Sequence, residues 1–190
     1  MLTHRFEEAL VYATQLHAGQ VRKGTRVPYI SHLLAVASLV LEHGGSEEEA
    51  IAALLHDSVE DQGGAVTREE IRLRFGESVA LIVDGLSDTD VSPKPPWRAR
   101  KEQYLDHLRK SSTPSERLVS LADKLHNARS ILLDYRTNGE QVWERFKGGK
   151  TGTLWYYRTL VEIFTESGPA ALSEELRRAV DEMERLSRVS

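Results

Sequence analysis

The sequence predicts an all-α fold, a single helical bundle, and three observations carry that prediction. Apolar residues recur at helical spacing, as in Phe6, Leu10 and Ala13 with Leu16 or His17, and in Leu33, Val36, Ala37, Val40 and Leu41. Helix start and stop signals punctuate the chain at short intervals. No period-2 run is long enough to read as a strand. Together they give one domain over residues 1–190 with about eight to ten helices. The last helices, from about residue 150 to 190, are expected to pack on the core.

Taken in order, "MLTHRFEEALVYATQLH" reads as an amphipathic helix; it carries acids and lacks the apolar core of a leader peptide. The stretch "RKGTRVP" (22–28) follows as a long, mobile-looking connection. "RVPYIS" reads as a brief extended piece, because Pro28 disfavours helix at Val27. The next helix stops at Gly44-Gly45, and Ser46 with Glu49 forms a capping-box pattern for its successor. Thr67 and Glu70 repeat that pattern in "VTREEIRLRFG", where Gly76 ends the helix. "ESVALIVDGLSD" is a short apolar helix. A second long connection, "SDTDVSPKPP" (87–96), has the position of a lid and gives way to helix near Trp97. Pro114 opens a helix whose apolar face is Leu118, Leu121, Ala122, Leu125 and Leu132. Two more helices follow, and the tail from Gly168 carries no motif. It is expected to pack on the bundle or to meet a second copy of the chain.

Composition narrows the function classes. The chain of 190 residues is 40% hydrophobic and 28% charged, which suits a globular domain. A formal charge of −4 gives no basic footprint for nucleic acid, although local basic clusters could grip phosphates. There is no cysteine, so disulfides and thiolate metal sites are excluded. No window has the length of a membrane span. A cytoplasmic protein with a small-molecule partner is the expectation, with neither nucleic acid nor membrane as partner.

The chemistry concentrates in "ALLHDSVED", where His56, Asp57, Glu60 and Asp61 follow an apolar run. Acceptors so close together repel one another once ionised, which leaves two readings: a cation belongs there, or the cluster is a solvated helix end. Adjacent residues cannot close around an ion alone. Two distant candidates are His32, which begins a helix, and Asp123, a carboxylate on an apolar helix face. Asp123 is costly to bury unless it binds metal or pairs with Lys124 or Arg129. Two imidazoles and two carboxylates without thiolates argue against structural zinc. Mn²⁺, Fe²⁺, Zn²⁺ and Mg²⁺ all remain compatible, and the histidines lean toward Mn²⁺ or another transition ion.

Five segments resemble one family in its order: "HAGQVRKGTRVPYISHLLAVA", "AALLHDSVED", "FGESVALIVDGLSD", "WRARKEQYL" and "LVSLADKLHNAR". The chain is similar to HD-domain metal-dependent phosphohydrolases, specifically the hydrolase domain of RelA/SpoT homologues, and most to their stand-alone small alarmone hydrolases. The resemblance implies metal ligands at His32, His56, Asp57 and Asp123, and catalytic acidic groups at Glu60 and Asp61. An ion so held lowers the pKa of a bound water, and Glu60 and Asp61 orient that water or relay its proton. It implies substrate contacts from Arg22 and Lys23 in the 22–28 loop, from Arg100 and Lys101 near the pyrophosphates, and from Asn127. Lys150 and one tyrosine, Tyr157 or Tyr156, complete the implied set.

The implied activity is removal of the 3′-pyrophosphate from (p)ppGpp. The loop from Arg22 to His32 is one residue longer than in the long members of the family and adds Arg26. The adenine counterpart (p)ppApp, or a broader range of nucleotides, therefore stays open as substrate. A non-catalytic metal or nucleotide sensor is the rival of another class, and the presence of both Glu60 and Asp61 argues against it.

Overall fold

The computed structural model describes residues 1–87 and 93–189, the side chain of Val189 excepted. The proposed lid lies partly outside the described residues, at 88–92. Ten α-helices are formed among the described residues: α1 (His4–Leu16), α2 (Ile30–Glu42), α3 (Glu47–Leu55), α4 (Ser58–Gln62), α5 (Ala65–Phe75), α6 (Glu77–Leu86), α7 (Trp97–Lys110), α8 (Pro114–Asn138), α9 (Gly149–Ser167) and α10 (Ala170–Val189). A 3-10 segment, Gly139–Arg145, joins α8 to α9. The fold is a single all-α domain.

Local signals explain most boundaries. Ser46 caps α3 in a full capping box with Glu49, and Thr113 caps α8 just before Pro114. The box expected at Thr67 and Glu70 does not form. Instead α5 starts at Ala65, because Gly63 (φ 141°) and Gly64 (φ 59°) turn the chain sooner than a side-chain cap could. Thr67 is left buried inside the helix, where its hydroxyl donates to the Gln62 carbonyl at 3.0 Å. The 22–28 connection is tied down rather than loose. Arg22 N–H donates to the Val27 carbonyl (2.8 Å), Tyr29 N–H donates to Gln20 (2.9 Å), and Val21 forms an antiparallel bridge with Pro28.

The 25-residue α8 runs through the bundle. It packs against α2 and α3 on one side and α10 on another, while α10 also covers α9. Its apolar face buries Leu118, Leu121, Ala122, Leu125 and Leu132, the positions expected from their spacing. Burial of such side chains, at about 25 cal/mol per Å² of apolar surface, is the main favourable contribution to folding. α8 thereby presents its remaining face to the ends of α2 and α3, where the polar residues gather.

Candidate metal and nucleotide site

α3 ends at Leu55, and the chain bends at His56 and Asp57 before α4. That bend points both side chains toward His32, in the first turn of α2, and toward Asp123 in the middle of α8. His32 and His56 are buried. Ligand atoms of His32, His56 and Asp57 lie within 4.8 Å of one another. Asp123 joins them, its Oδ1 lying 3.1 Å from His32 Nε2 and 3.6 Å from His56 Nε2. Asp57 Oδ2 lies 3.0 Å from His56 Nε2. All four residues expected as metal ligands are thus brought to one point.

The donor chemistry fits a divalent cation. The Nε2 atoms of His32 and His56 are buried and accept or donate no well-formed hydrogen bond, although carboxylates stand close by. Their other nitrogens are engaged: His56 Nδ1 donates to the Ala53 carbonyl at 2.8 Å, and His32 Nδ1 meets His126 Nδ1 at 2.7 Å. Such bonds fix the tautomer that leaves Nε2 as a lone pair for an ion. Burial opposes charge on His56, yet Asp57 and Asp123 outweigh it and raise its pKa well above 6.5. The carboxylates therefore draw a positive charge to this point.

Asp123 pairs with Lys124 and also faces the two histidines. Its Oδ2 accepts from Lys124 (2.6 Å) while Oδ1 accepts from Asn127 (2.5 Å) and faces the histidines. Asn127 in turn accepts from Arg22 at 2.6 Å, which links the loop to the Asp123 face of α8. Tyr29 donates to Asp57 Oδ2 at 2.5 Å and stacks on His17. Asp61 sits one turn after Asp57, its N–H bonded to the Asp57 carbonyl, and accepts from Gln20 at 2.8 Å. Burial, with the charges of Asp57 and Glu60, raises the Asp61 pKa above 3.8. Glu60 accepts from Lys94 at 2.7 Å.

Two cavities open on this cluster. The one beside His56, Asp57, Glu60 and Asp123 has a volume of about 340 Å³, and Arg22, Lys23, Arg100, Lys101, Lys124 and Lys147 ring it with positive charge. The second, about 620 Å³, shares Tyr29, Asn127 and Phe146 with the first and extends past Asp61, Tyr156 and Tyr157. Of the residues expected to touch substrate, Arg22, Lys23, Arg100, Lys101, Asn127 and Tyr157 line these cavities, and Tyr156 does too. Lys150 lines neither; its ammonium is bonded to Glu140 (2.8 Å) and to the Ser187 carbonyl (2.6 Å), where it fastens α10 to α9. His126, Tyr29 and Gln20 were not singled out by the sequence, and Lys124 was singled out only as an ion-pair partner for Asp123. For His126 and Lys124 a signal existed, since they flank Asp123 and Asn127 in "LADKLHNA".

Comparison with known proteins identifies relatives of this chain. The guanosine-3′,5′-bis(diphosphate) 3′-pyrophosphohydrolase MESH1 of Xenopus tropicalis is 41% identical over 127 residues, 65% of this chain and 68% of that protein. The enzyme of the same activity name from Haemophilus influenzae is 40% identical over 124 residues, which span 63% of this chain and only 17% of that longer protein. A solved structure described as a metazoan orthologue of SpoT that hydrolyses ppGpp superposes with a TM-score of 0.78 and 25% identity, covering 96% of this chain and 97% of that one. Lmo0812 of Listeria monocytogenes EGD-e gives a TM-score of 0.70 at 29% identity, over 81% of this chain and 99% of its own. No described helix is long and apolar enough to cross a membrane. The HD-domain model matches residues 9–154, and with these relatives it shows that the chain belongs to the HD-domain family.

Proposed function

We propose that this protein is a divalent-metal-dependent hydrolase that removes the 3′-pyrophosphate of (p)ppGpp, giving GDP or GTP and pyrophosphate. The observation that carries the reading is the buried meeting of His32, His56, Asp57 and Asp123 at the wall of a cation-lined cavity. The relatives' names supply the substrate class.

His32, His56, Asp57 and Asp123 would hold the ion, and the mixed imidazole–carboxylate set favours Mn²⁺. A divalent ion there supplies Lewis-acid charge that acidifies water and draws electron density from a phosphoryl oxygen. The protein's own groups do the rest. Lys23, Arg100, Lys101 and Lys124 offset the charge of the pyrophosphate and orient it. Asp61 Oδ2 is occupied by Gln20, so Oδ1 is the atom that takes a proton from the attacking water. Glu60, steadied by Lys94, stands on the same short helix and directs that water to the phosphorus joined to the ribose 3′ oxygen. The bond from that phosphorus to the 3′ oxygen breaks, and the 3′ oxygen leaves with a proton.

The test is a substrate panel of ppGpp, ppApp and simple nucleoside monophosphates with Mn²⁺, then with the ion exchanged. Pyrophosphate release from ppGpp, abolished by a chelator, is expected. Release from neither 3′-pyrophosphate compound would sink the proposal.

A further inference from the structure

We infer that Asp134, braced by Arg145, reads the purine and makes the site select guanine over adenine. The inference rests on the hydrolase reading above and concerns a part of the cavity remote from the metal ligands.

Position comes first. Along α8, Asp123, Asn127, Ile131 and Asp134 recur at spacings of three or four, which keeps them on one face. Asn127, Ile131 and Asp134 all line the wide cavity. Asp134 lies eleven residues beyond Asp123, roughly 16 Å at a rise of 1.5 Å per residue. A nucleoside 3′-phosphate laid along the helix is shorter than that, and the two aspartate side chains with their contact distances make up the difference, so its phosphate can lie by Asp123 while the far edge of its base meets Asp134. Ile131 and Phe146 line this part of the cavity and offer apolar surface to the faces of a ring.

The second observation is the state of the carboxylate. Asp134 Oδ2 accepts from Arg145 Nη2 at 2.8 Å, and both side chains are partly buried, at 32% and 22% exposure. Asp134 Oδ1 accepts no hydrogen bond among the described residues. Arg145 also donates through Nη1 to the Lys23 carbonyl at 3.3 Å, so one guanidinium ties α8 to the 22–28 loop. Gly24 makes the approach possible. Its φ is +75°, and a Cβ there would stand 2.5 Å from Arg145 Cδ. The carboxylate is thereby held in place before a ligand arrives, which spares the entropy of ordering it.

The chemistry then distinguishes the purines. Guanine carries two donors side by side, N1–H and the 2-amino group, and a fixed carboxylate accepts from both. Adenine seated the same way presents a lone pair at N1 and a bare C2–H, which leaves the carboxylate unpaired against an acceptor. A site built to hydrogen-bond a substrate rejects the analogue lacking the donors far more strongly than an apolar pocket rejects a change of size.

The experiment measures kcat/KM for pyrophosphate release from ppGpp, ppApp and ppIpp, which lacks the 2-amino group. It uses the full chain with Mn²⁺, as wild type and as Asp134→Ala. Wild type is expected to favour ppGpp over ppApp by about tenfold or more, with ppIpp between them. Asp134→Ala should lower the value for ppGpp about tenfold and leave ppApp nearly unchanged, so the preference collapses. Each preference is a ratio within one sample, so a loss of folded protein cancels. A ratio unchanged by Asp134→Ala, or a wild type that favours ppApp, overturns the inference while the hydrolase reading stands. Turnover of none of the three by wild type overturns the hydrolase reading and this inference with it.

Discussion

Replacing His126 by alanine should weaken metal binding without touching a ligand. His32 is fully buried, and its Nδ1 lies 2.7 Å from His126 Nδ1. One of two facing ring nitrogens must carry the hydrogen. Burial, with the nearby charge of Arg22, pushes the His126 pKa down to about 4, so its ring is neutral at physiological pH and can accept. His32 is then the donor, and its Nε2 is left as the lone pair that faces Asp123. In His126→Ala the buried His32 N–H loses its partner, a cost of about 1–3 kcal/mol. The ring can then rotate or change tautomer, and removing such a supporting bond weakens metal affinity by about 10–100-fold. Titration calorimetry with Mn²⁺ measures this directly. His126→Asn brings a carbonyl oxygen close to the lost nitrogen and should recover much of the affinity. An affinity unchanged in His126→Ala, or an asparagine variant as weak as the alanine one, would show that His126 does not hold the His32 ring in place.

Three further outcomes follow from the same geometry. Mn²⁺ at a hundredfold excess over its Kd should stabilise the fold by about 2.7 kcal/mol, or roughly 5–10 °C in Tm for a chain of this size; Asp57→Ala should remove that shift in a thermal melt. His56 has a folded pKa raised above its ordinary 6.5 by Asp57 and Asp123 acting against burial. Its protonated form therefore stabilises the metal-free fold fully below that value, and this contribution is lost as pH rises through the folded pKa. Metal must expel that proton, so calorimetry in buffers of different ionisation enthalpy should show about one proton released near neutral pH; no release would contradict the assignment. Gly148→Val should lower Tm by roughly 2–10 °C through overpacking. A Cβ at Gly148 would stand 2.6 Å from the Trp97 ring, which seats the start of α7 on α9, and the tryptophan fluorescence should shift with it.

Much of the fold was legible because its signals are local. Ser46 with Glu49, Pro114 and the apolar stripe of α8 each act within a few residues, and each stands where its chemistry places it. Asp123 was legible for an energetic reason, since a carboxylate on a buried stripe needs a partner. The structure gives it two kinds, with Lys124 on one oxygen and the histidine pair facing the other. Thr67 was misread because the turn at Gly63-Gly64, rather than a side-chain cap, starts α5. Other features depend on contacts between distant segments. His126 meets a residue 94 positions away, and helical periodicity does not say which neighbour a polar face will meet. Lys150 had the residue type of a phosphate contact, yet its direction is set by α10 folding back across α9. Arg145 reaches the 22–28 loop only because the 3-10 segment redirects the chain after α8.

In the proposed reaction this site directs water to the phosphorus on the ribose 3′ oxygen. Turnover of ppGpp with Mn²⁺ in water enriched in heavy oxygen, with products weighed by mass spectrometry, tests it most directly. One heavy oxygen is expected in the pyrophosphate and none in the GDP, with turnover lost in Asp61→Ala. Label in the nucleotide, or release of single phosphate in place of pyrophosphate, would contradict it.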